Sequence, residues 1–367
     1  MKRIYLSLIA LALLVALPSK TLAQLDDAGD ILRGGAHDAN LLMSEYLKPF
    51  GSGFGAGLNS GWVNSAKPYG KFGFDLRVSA SLSFVPDADR SFDITSLALQ
   101  ELEHLGGPTV TPTAFGEEAS RARVGKRFFN PETGQDEELF SFDMPEGAGI
   151  AFVPSPMAQL TVGLVQQTDL SFRFFPSMRF GDEDGEFRIG MWGLGIKHGL
   201  DQWIDYFDAI PVDLSIQLGY TRITMRSDFD VEPDEGPEIA NPYPDVHWDG
   251  QGLELISDGF TGNLLVGRQF PIITLFAGVG VQRSLTTVTS TGAYPIVTPL
   301  EPEEYEPGGP VMRIDSVEEP IDISLQTGTH FQGLAGLRIR LAVVTISASY
   351  TLARYNNLNV GVGLSFR

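Results

Sequence analysis

The chain has 367 residues and no cysteine, and its 46 Asp and Glu against 26 Lys and Arg give a formal charge of −20. That balance argues against a nucleic-acid partner, because phosphate backbones are held by clustered Lys and Arg, and the missing cysteines remove disulfides, thiolate metal sites and cysteine nucleophiles together. The mean hydropathy is nevertheless +0.01, with 41 Gly, 24 Phe, 10 Tyr and 4 Trp, so apolar residues must be concentrated in some segments and acids in others. At about 100–200 residues per domain the length allows two domains or one large barrel.

The chain opens on Lys2 and Arg3, an apolar run from Ile4 to Leu17, and then Thr21-Leu22-Ala23. A positive n-region, an apolar h-region and small residues at −3 and −1 define a secretory signal cleaved near Ala23. The run stops at Pro18-Ser19-Lys20, short of the ~20 apolar residues of a membrane-spanning helix. Cleavage removes three cations and no acid, taking the formal charge from −20 to −23. Residues 24–52 follow as an N-terminal periplasmic or plug segment: Ile31, Leu32, Leu41, Leu42, Tyr46 and Leu47 lie at near-helical spacing, interrupted by Gly34-Gly35 and ended by Pro49.

From residue 53 onward the period changes to two. In 70–85, Phe72, Phe74, Leu76, Val78, Ala80, Leu82 and Phe84 share one face, and Gly73, Asp75, Arg77, Ser79, Ser81 and Ser83 share the other. Alternation of this kind marks a strand, and this one exceeds the usual 5–6 residues. Similar segments are 91–99, 157–166, 168–180, 186–197, 211–226, 258–268, 271–285, 329–341, 343–354 and 357–367. Their apolar faces at Val212–Tyr220, Val344–Leu352 and Leu358–Phe366 carry no charge, and their polar faces are mainly Ser, Gly, Thr, Asn and Gln. A soluble sandwich would place Lys and Glu on its outer face. A membrane barrel instead needs a clean lipid register, since Lys or Arg at the midplane costs ~2–4 kcal/mol, and closure pairs every backbone group. The expected fold is all-β: a closed antiparallel transmembrane β-barrel over 53–367 of about twelve strands, within a range of about ten to fourteen.

Parity and loop length refine the topology. Bacterial barrels usually have an even number of strands, so eleven segments call for one more, and Gly53–Val63 is the expected addition. With the last strand descending, the connections at 341–342, 268–271 and 166–168 become short periplasmic turns, and 100–155, 227–257 and 286–328 become long acidic extracellular loops. Leu200, Trp203, Ile204 and Phe207 suggest a small amphipathic helix in the longer inner connection 198–211.

The C-terminal Asn357-Leu-Asn-Val-Gly-Val-Gly-Leu-Ser-Phe366 resembles the assembly signal of outer-membrane barrels, with Val360, Val362, Leu364 and Phe366 on one face; Arg367 follows the terminal aromatic. The resemblance implies a barrel-assembly machinery as partner. The wider pattern, including Gly57-Leu-Asn-Ser-Gly-Trp62, Trp192-Gly-Leu-Gly-Ile-Lys-His198 and Asp213-Leu-Ser-Ile-Gln-Leu-Gly-Tyr220, resembles an uncharacterised outer-membrane β-barrel family of Bacteroidota-type bacteria. A more distant likeness is to FadL-type transporters of hydrophobic compounds, which place a plug before the barrel; their Asn-Pro-Ala box is missing here.

No enzyme chemistry stands out. His37, His104, His198, His247 and His330 are scattered without the i, i+4 spacing of a zinc helix. Gly51-Ser-Gly-Phe-Gly-Ala-Gly57 has the wrong spacing for a dinucleotide turn. His198, at a strand end, reads as an interfacial polar residue rather than a general base. Asp228-Phe-Asp-Val-Glu-Pro-Asp234 alternates carboxylates but lacks the Gly and terminal Glu of an EF-hand loop. No catalytic residue, cofactor or metal ligand is assigned. The acidic loops are candidates for bridging to lipopolysaccharide through divalent cations.

By register, Asp75, Arg77, Arg173, Arg188, Asp213, Gln217, Arg338 and Arg340 face the lumen, as pore lining or as cross-braces of a filled interior. The expected function is a passive channel or transporter for small or hydrophobic compounds in the outer membrane. The alternative is structural or adhesive, acting through the acidic loops.

Overall fold

The computed structural model describes residue 31 and residues 35–130, 133–182, 185–204, 211–228, 239–243, 248, 250–300, 304 and 309–366. The expected signal segment 1–23 and most of the 228–234 carboxylate run lie outside the described residues.

Helix α1 (Gly35–Asn59) comes first, followed by strand β1 (Phe74–Phe84). Five short strands follow: β2 (Ser91–Asp93), β3 (Glu103–Gly106), β4 (Val110–Pro112), β5 (Arg123–Asn130) and β6 (Gln135–Asp143). Then come β7 (Phe152–Gly163), β8 (Thr168–Asp182), β9 (Gly185–Gly199), β10 (Asp213–Asp228), the two-residue β11 (Ile239–Ala240), β12 (Gly252–Gln269) and β13 (Ile273–Thr291). The chain ends on β14 (Ala293–Pro299), β15 (Met312–Glu318), β16 (Asp322–Leu341), β17 (Val344–Leu352) and β18 (Asn357–Phe366). Ten of these close an antiparallel barrel in the order β1-β18-β17-β16-β13-β12-β10-β9-β8-β7, with β7 returning to β1. The small strands form separate sheets, β3-β5-β6, β2-β4 and β11-β15-β14.

The barrel therefore has ten strands, not about twelve. Two expected segments are absent from its wall. Residues 91–99 hold only the short β2 and a 3-10 turn, Ile94–Ser96. Gly53–Val63 is not a strand: α1 continues through Pro49 to Asn59 and fills the lumen. Evenness required one segment fewer rather than one more.

The outer wall is apolar where the sequence placed it. Phe74, Leu76 and Phe84 on β1, Leu218 on β10, Leu264 and Val266 on β12, and Val360, Val362, Leu364 and Phe366 on β18 are exposed. From Phe74 to Phe84 the outward face spans ten residue steps, about 25 Å at ~3.3 Å per residue and a tilt near 40°, the height of the apolar band of a membrane barrel. Phe74 and Phe366 stack at 4.9 Å where first and last strands close the ring.

Above this band the pattern inverts. On β9 and β10 the inward residues become Ile189, Met191, Ile223 and Met225, all buried, joined by Leu253, Val288 and Ile323. They form one core with Leu42, Met43, Tyr46 and Phe54 of α1 and with Phe142 and Met144 beside the small sheets. The upper barrel interior is thus a cap core, while the lower interior is polar. Because this inversion hides the strand signal, the long connections are shorter than expected: β10 runs to Asp228, β12 starts at Gly252, β13 reaches Thr291 and β16 starts at Asp322. Residues 100–155 hold β3 to β6 and the start of β7. In 198–211, the described part is a 3-10 turn at Asp201–Trp203 rather than an amphipathic helix, with Trp203 65% exposed.

Candidate functional site

The chain descends the lumen from the long-loop end to the short-turn end. At the top of α1, both oxygens of Asp38 accept the backbone N–H groups of Gln100, Glu101 and Leu102 at 2.7–2.8 Å. Asn40 donates to the carbonyl of Pro320 and accepts from the N–H of Asp322. Lower down, Gly55 and Gly57 lie against Ser284 and Ser155 so closely that an added Cβ would overlap either side chain. The glycine run 51–57 lets a helix pass within a narrow barrel, which is why it is neither a strand nor a nucleotide loop. Tyr355, in the turn between β17 and β18, donates to Asp89 at 2.8 Å; burial, and then that carboxylate, push its hydroxyl above the ordinary range.

Below Asn59 the polar side chains of the wall grip the backbone of residues 58–69. Arg173 donates to the carbonyls of Leu58 and Ser60 at 2.7 Å each and lies 3.7 Å from the Trp62 ring centroid. Arg77 donates to the Gly61 carbonyl at 2.6 Å, and Gln159 to that of Trp62 at 3.0 Å. Lys197 reaches the carbonyls of Ser65 and Lys67, and Ser215 that of Ala66. Arg338 donates to Asn64 Oδ1 and to the Tyr69 hydroxyl, Asn64 Nδ2 donates weakly to Asp75, and Asp169 accepts the Tyr69 N–H. Cations at the carbonyl end of a helix satisfy its orphan acceptors and oppose its dipole. The lower lumen is a clamp on the descending chain.

The structure brings together Asp75, Arg77, Arg173, Gln217 and Arg338, each at most 2% exposed. Asp213 and Arg340 occupy the same inward registers near the short-turn end, Asp213 with Lys67 at 3.4 Å. Arg188 does not face the lumen. It shares the register of Trp192, Leu194 and Ile196 on the outer face of β9 and pairs with Asp228 at 3.4 Å. The sequence count failed there because Ile189 and Met191 are apolar yet point inward, into the cap core.

Sequence reading missed Gln159, Asp169, Lys197 and Ser215; the inward registers of β7, β8, β9 and β10 contained the signal, once extended past the charged positions. His198 accepts from Trp203 Nε1 at 3.0 Å and bonds Thr168 at 2.8 Å, holding the inner connection to the barrel rim. Two interior cavities measure about 10 and 20 Å³, room for a single water each. Among the described residues no cluster of three or more His, Asp or Glu suits a metal ion.

One stretch of the wall is not zipped. β7 and β8 pair only at Gln159–Gly163 with Asp169–Arg173, five residue pairs, although the strands run 12 and 15 residues. Above that point β7 carries Pro154 and Pro156 and β8 carries Pro176. The bond from Leu164 N–H to the Thr168 carbonyl sets the even-numbered backbone groups of both strands toward each other, and bonds alternate sides along a strand. Pro154 and Pro156 therefore lack their N–H on the edge that faces β8. β8 also carries a bulge between Phe175 and Met178, which bends a strand away from its course.

A model of a family of unknown function, DUF6588, matches residues 1–366. The chain belongs to that family. No curated protein has a significant sequence match to this member. Among solved structures, the DUF6588 chain is similar to the translocator domain of the autotransporter NalP from Neisseria meningitidis, at 12% identity and TM-score 0.28, covering 82% of this chain and 90% of that one. It is similar to the outer-membrane protease OmpT from Escherichia coli at 8% identity and TM-score 0.29, covering 80% and 97%. It is also similar to the toluene transporter TbuX from Ralstonia pickettii at 9% identity and TM-score 0.26, covering 87% and 97%. Likenesses of this size carry no functional argument.

Proposed function

We propose that this DUF6588 member is a non-catalytic outer-membrane barrel, exported by cleavage near Ala23, that passes small hydrophobic compounds between the bilayer and the cap core while its plug excludes water and ions. The β7–β8 seam carries this reading. In hydrocarbon an unpaired N–H costs several kcal/mol, so an open edge there is a liability unless donors are removed. Pro154 and Pro156 remove two of them on the β7 edge, and Pro176 lies within the β8 bulge. Behind the seam lie Val153 and Met157 of β7 and Phe54 of α1, all buried in the cap core, so the path suits an apolar solute and not an ion.

The short turns at 164–167, 270–272 and 342–343 favour a periplasmic assignment for that end, with the cap outside. The adhesive alternative draws on the cap itself, whose β3-β5-β6 sheet presents Phe129 at 63% exposure.

The test uses the cysteine-free background. Ala158→Cys with Phe174→Cys places thiols on the first unpaired positions of the seam, one step beyond the Gln159–Arg173 pair. Oxidation should stop uptake of a fluorescent hydrophobic probe by proteoliposomes, and reduction should restore it. Uptake that ignores the lock contradicts the reading. Retained binding to cells without probe flux would favour adhesion.

A further inference from the structure

The outer wall carries a second feature, away from the seam. An open groove of about 560 Å³ runs down the barrel exterior, lined by Leu194, Ile196, Leu218, Phe260, Val281 and Gly262. Gly262 makes the notch: it points outward between exposed Phe260 and Leu264, and an added Cβ would meet only Leu218, at 3.2 Å. At the upper end stands Arg283, exposed on the outer face of β13. Ten residues separate it from Ile273 at the lower end of that strand, about 25 Å at typical tilt, so it lies at the upper edge of the apolar band. Trp192, Tyr220 and Phe260 form a row of touching rings at the same level, at 5.2 and 4.7 Å, as interfacial aromatics do.

The Arg283 guanidinium has no ion pair or hydrogen bond among the described residues; beyond the strand ladder, Asn59 bonds the Arg283 carbonyl. The nearby carboxylate, Asp258, is already held by Arg222 through two bonds of 2.8 Å and by the Tyr220 hydroxyl. A guanidinium at the edge of hydrocarbon needs an anion, and none of the described residues supplies one to Arg283.

The geometry points to a site for the phosphorylated glycolipid of the outer leaflet, lipid A, with a phosphate on Arg283 and one acyl chain in the Gly262 groove. Several features favour that occupant over a peptide. The groove lies wholly within the lipid-facing band, its polar end is cationic on an otherwise acidic molecule, and that end is the long-loop side. Arginine forms paired hydrogen bonds with phosphate, and Arg222, two strands away at about 10 Å, is 43% exposed and within reach of a second phosphate. The inference rests on the outer-membrane reading but not on transport.

Native mass spectrometry of the purified full chain, titrated with lipid A, tests it. Wild type should retain one lipid A. Arg283→Gln and Gly262→Leu, the second filling the notch while keeping the charge, should each weaken retention about tenfold, with heat-modifiable gel migration confirming folded barrels. Dephosphorylated lipid A should bind like the Arg283→Gln case. Equal retention by both variants overturns the site, and equal binding of phosphatidylglycerol overturns the lipid A assignment. Failure of wild type to enter lipid nanodiscs would instead count against the membrane reading itself.

Discussion

Replacing Arg173 with Met keeps most of the side chain's bulk and removes the guanidinium that caps the lumenal helix. Wild-type Arg173 makes two bonds of 2.7 Å to backbone carbonyls, one of 3.0 Å to Gln159, and a 3.7 Å stack on Trp62. Hydrogen bonds to charged groups contribute about 1.5–3 kcal/mol each, and a desolvated cation–π contact about 2. Opposing them, the variant no longer buries a cation, a penalty of several kcal/mol, or one close to Arg77. The balance is tipped by the Leu58 and Ser60 carbonyls, left buried at about 1–3 kcal/mol each. We expect the docked plug to lose about 2–3 kcal/mol, a shift of about 30- to 150-fold toward the undocked state. In planar bilayers the variant should show brief openings that wild type lacks. Arg173→Lys should be intermediate, because an ammonium keeps the charge but not the fork. A folded Arg173→Met barrel as silent as wild type, with unchanged urea resistance, would refute the clamp.

Asp38→Ala strips the acceptor from three backbone N–H groups; only that of Leu102 is buried, so at about 1–3 kcal/mol for one orphaned donor protease cleavage within 97–103 should rise at least about tenfold, with cleavage of 58–69 unchanged. The threading predicts opposite labelling of the two ends of the lumenal chain. His37→Cys, exposed at the long-loop end, should react with an impermeant maleimide in intact cells, and Lys71→Cys, exposed at the other, only after permeabilisation; the reverse result inverts the orientation. Tyr294, outside the barrel wall, bonds the Gly252 N–H and carbonyl, and burial pushes its hydroxyl up to about 12. A raised folded value means its contribution is full below the unfolded value of about 10 and is lost as pH rises through about 12. Alkaline absorbance titration should show a tyrosine near pH 12 that Tyr294→Phe removes while the delayed Tyr355 persists, and an unchanged titration would refute it.

The barrel was legible because the ten wall strands keep apolar residues at alternate, outward positions over at least half their length. Where that rule stops, so did the reading. Ile223 and Met225 look lipid-facing in a period-two count, yet they fill a core under the cap. The same inversion put Arg188 on the wrong face. Gly53–Val63 shows a different limit: alternating small and apolar residues fit a strand, and only the closeness of Ser155 and Ser284 to Gly57 and Gly55 explains a helix. The lumen charges other than Arg188 were found by register, but Arg77 and Arg173 are held by backbone carbonyls of residues 58–61, and a carbonyl carries no mark in the sequence. Pro154, Pro156 and Pro176 were visible throughout, but their meaning required the pairing of β7 with β8.

The most direct test of a sealed lumen with a permeable wall is a paired flux measurement on one batch of proteoliposomes. Wild type should admit a hydrophobic fluorophore faster than empty liposomes while holding a potassium gradient as tightly as they do. A steady ion leak that tracks protein content, or no gain in hydrophobe entry, would contradict it.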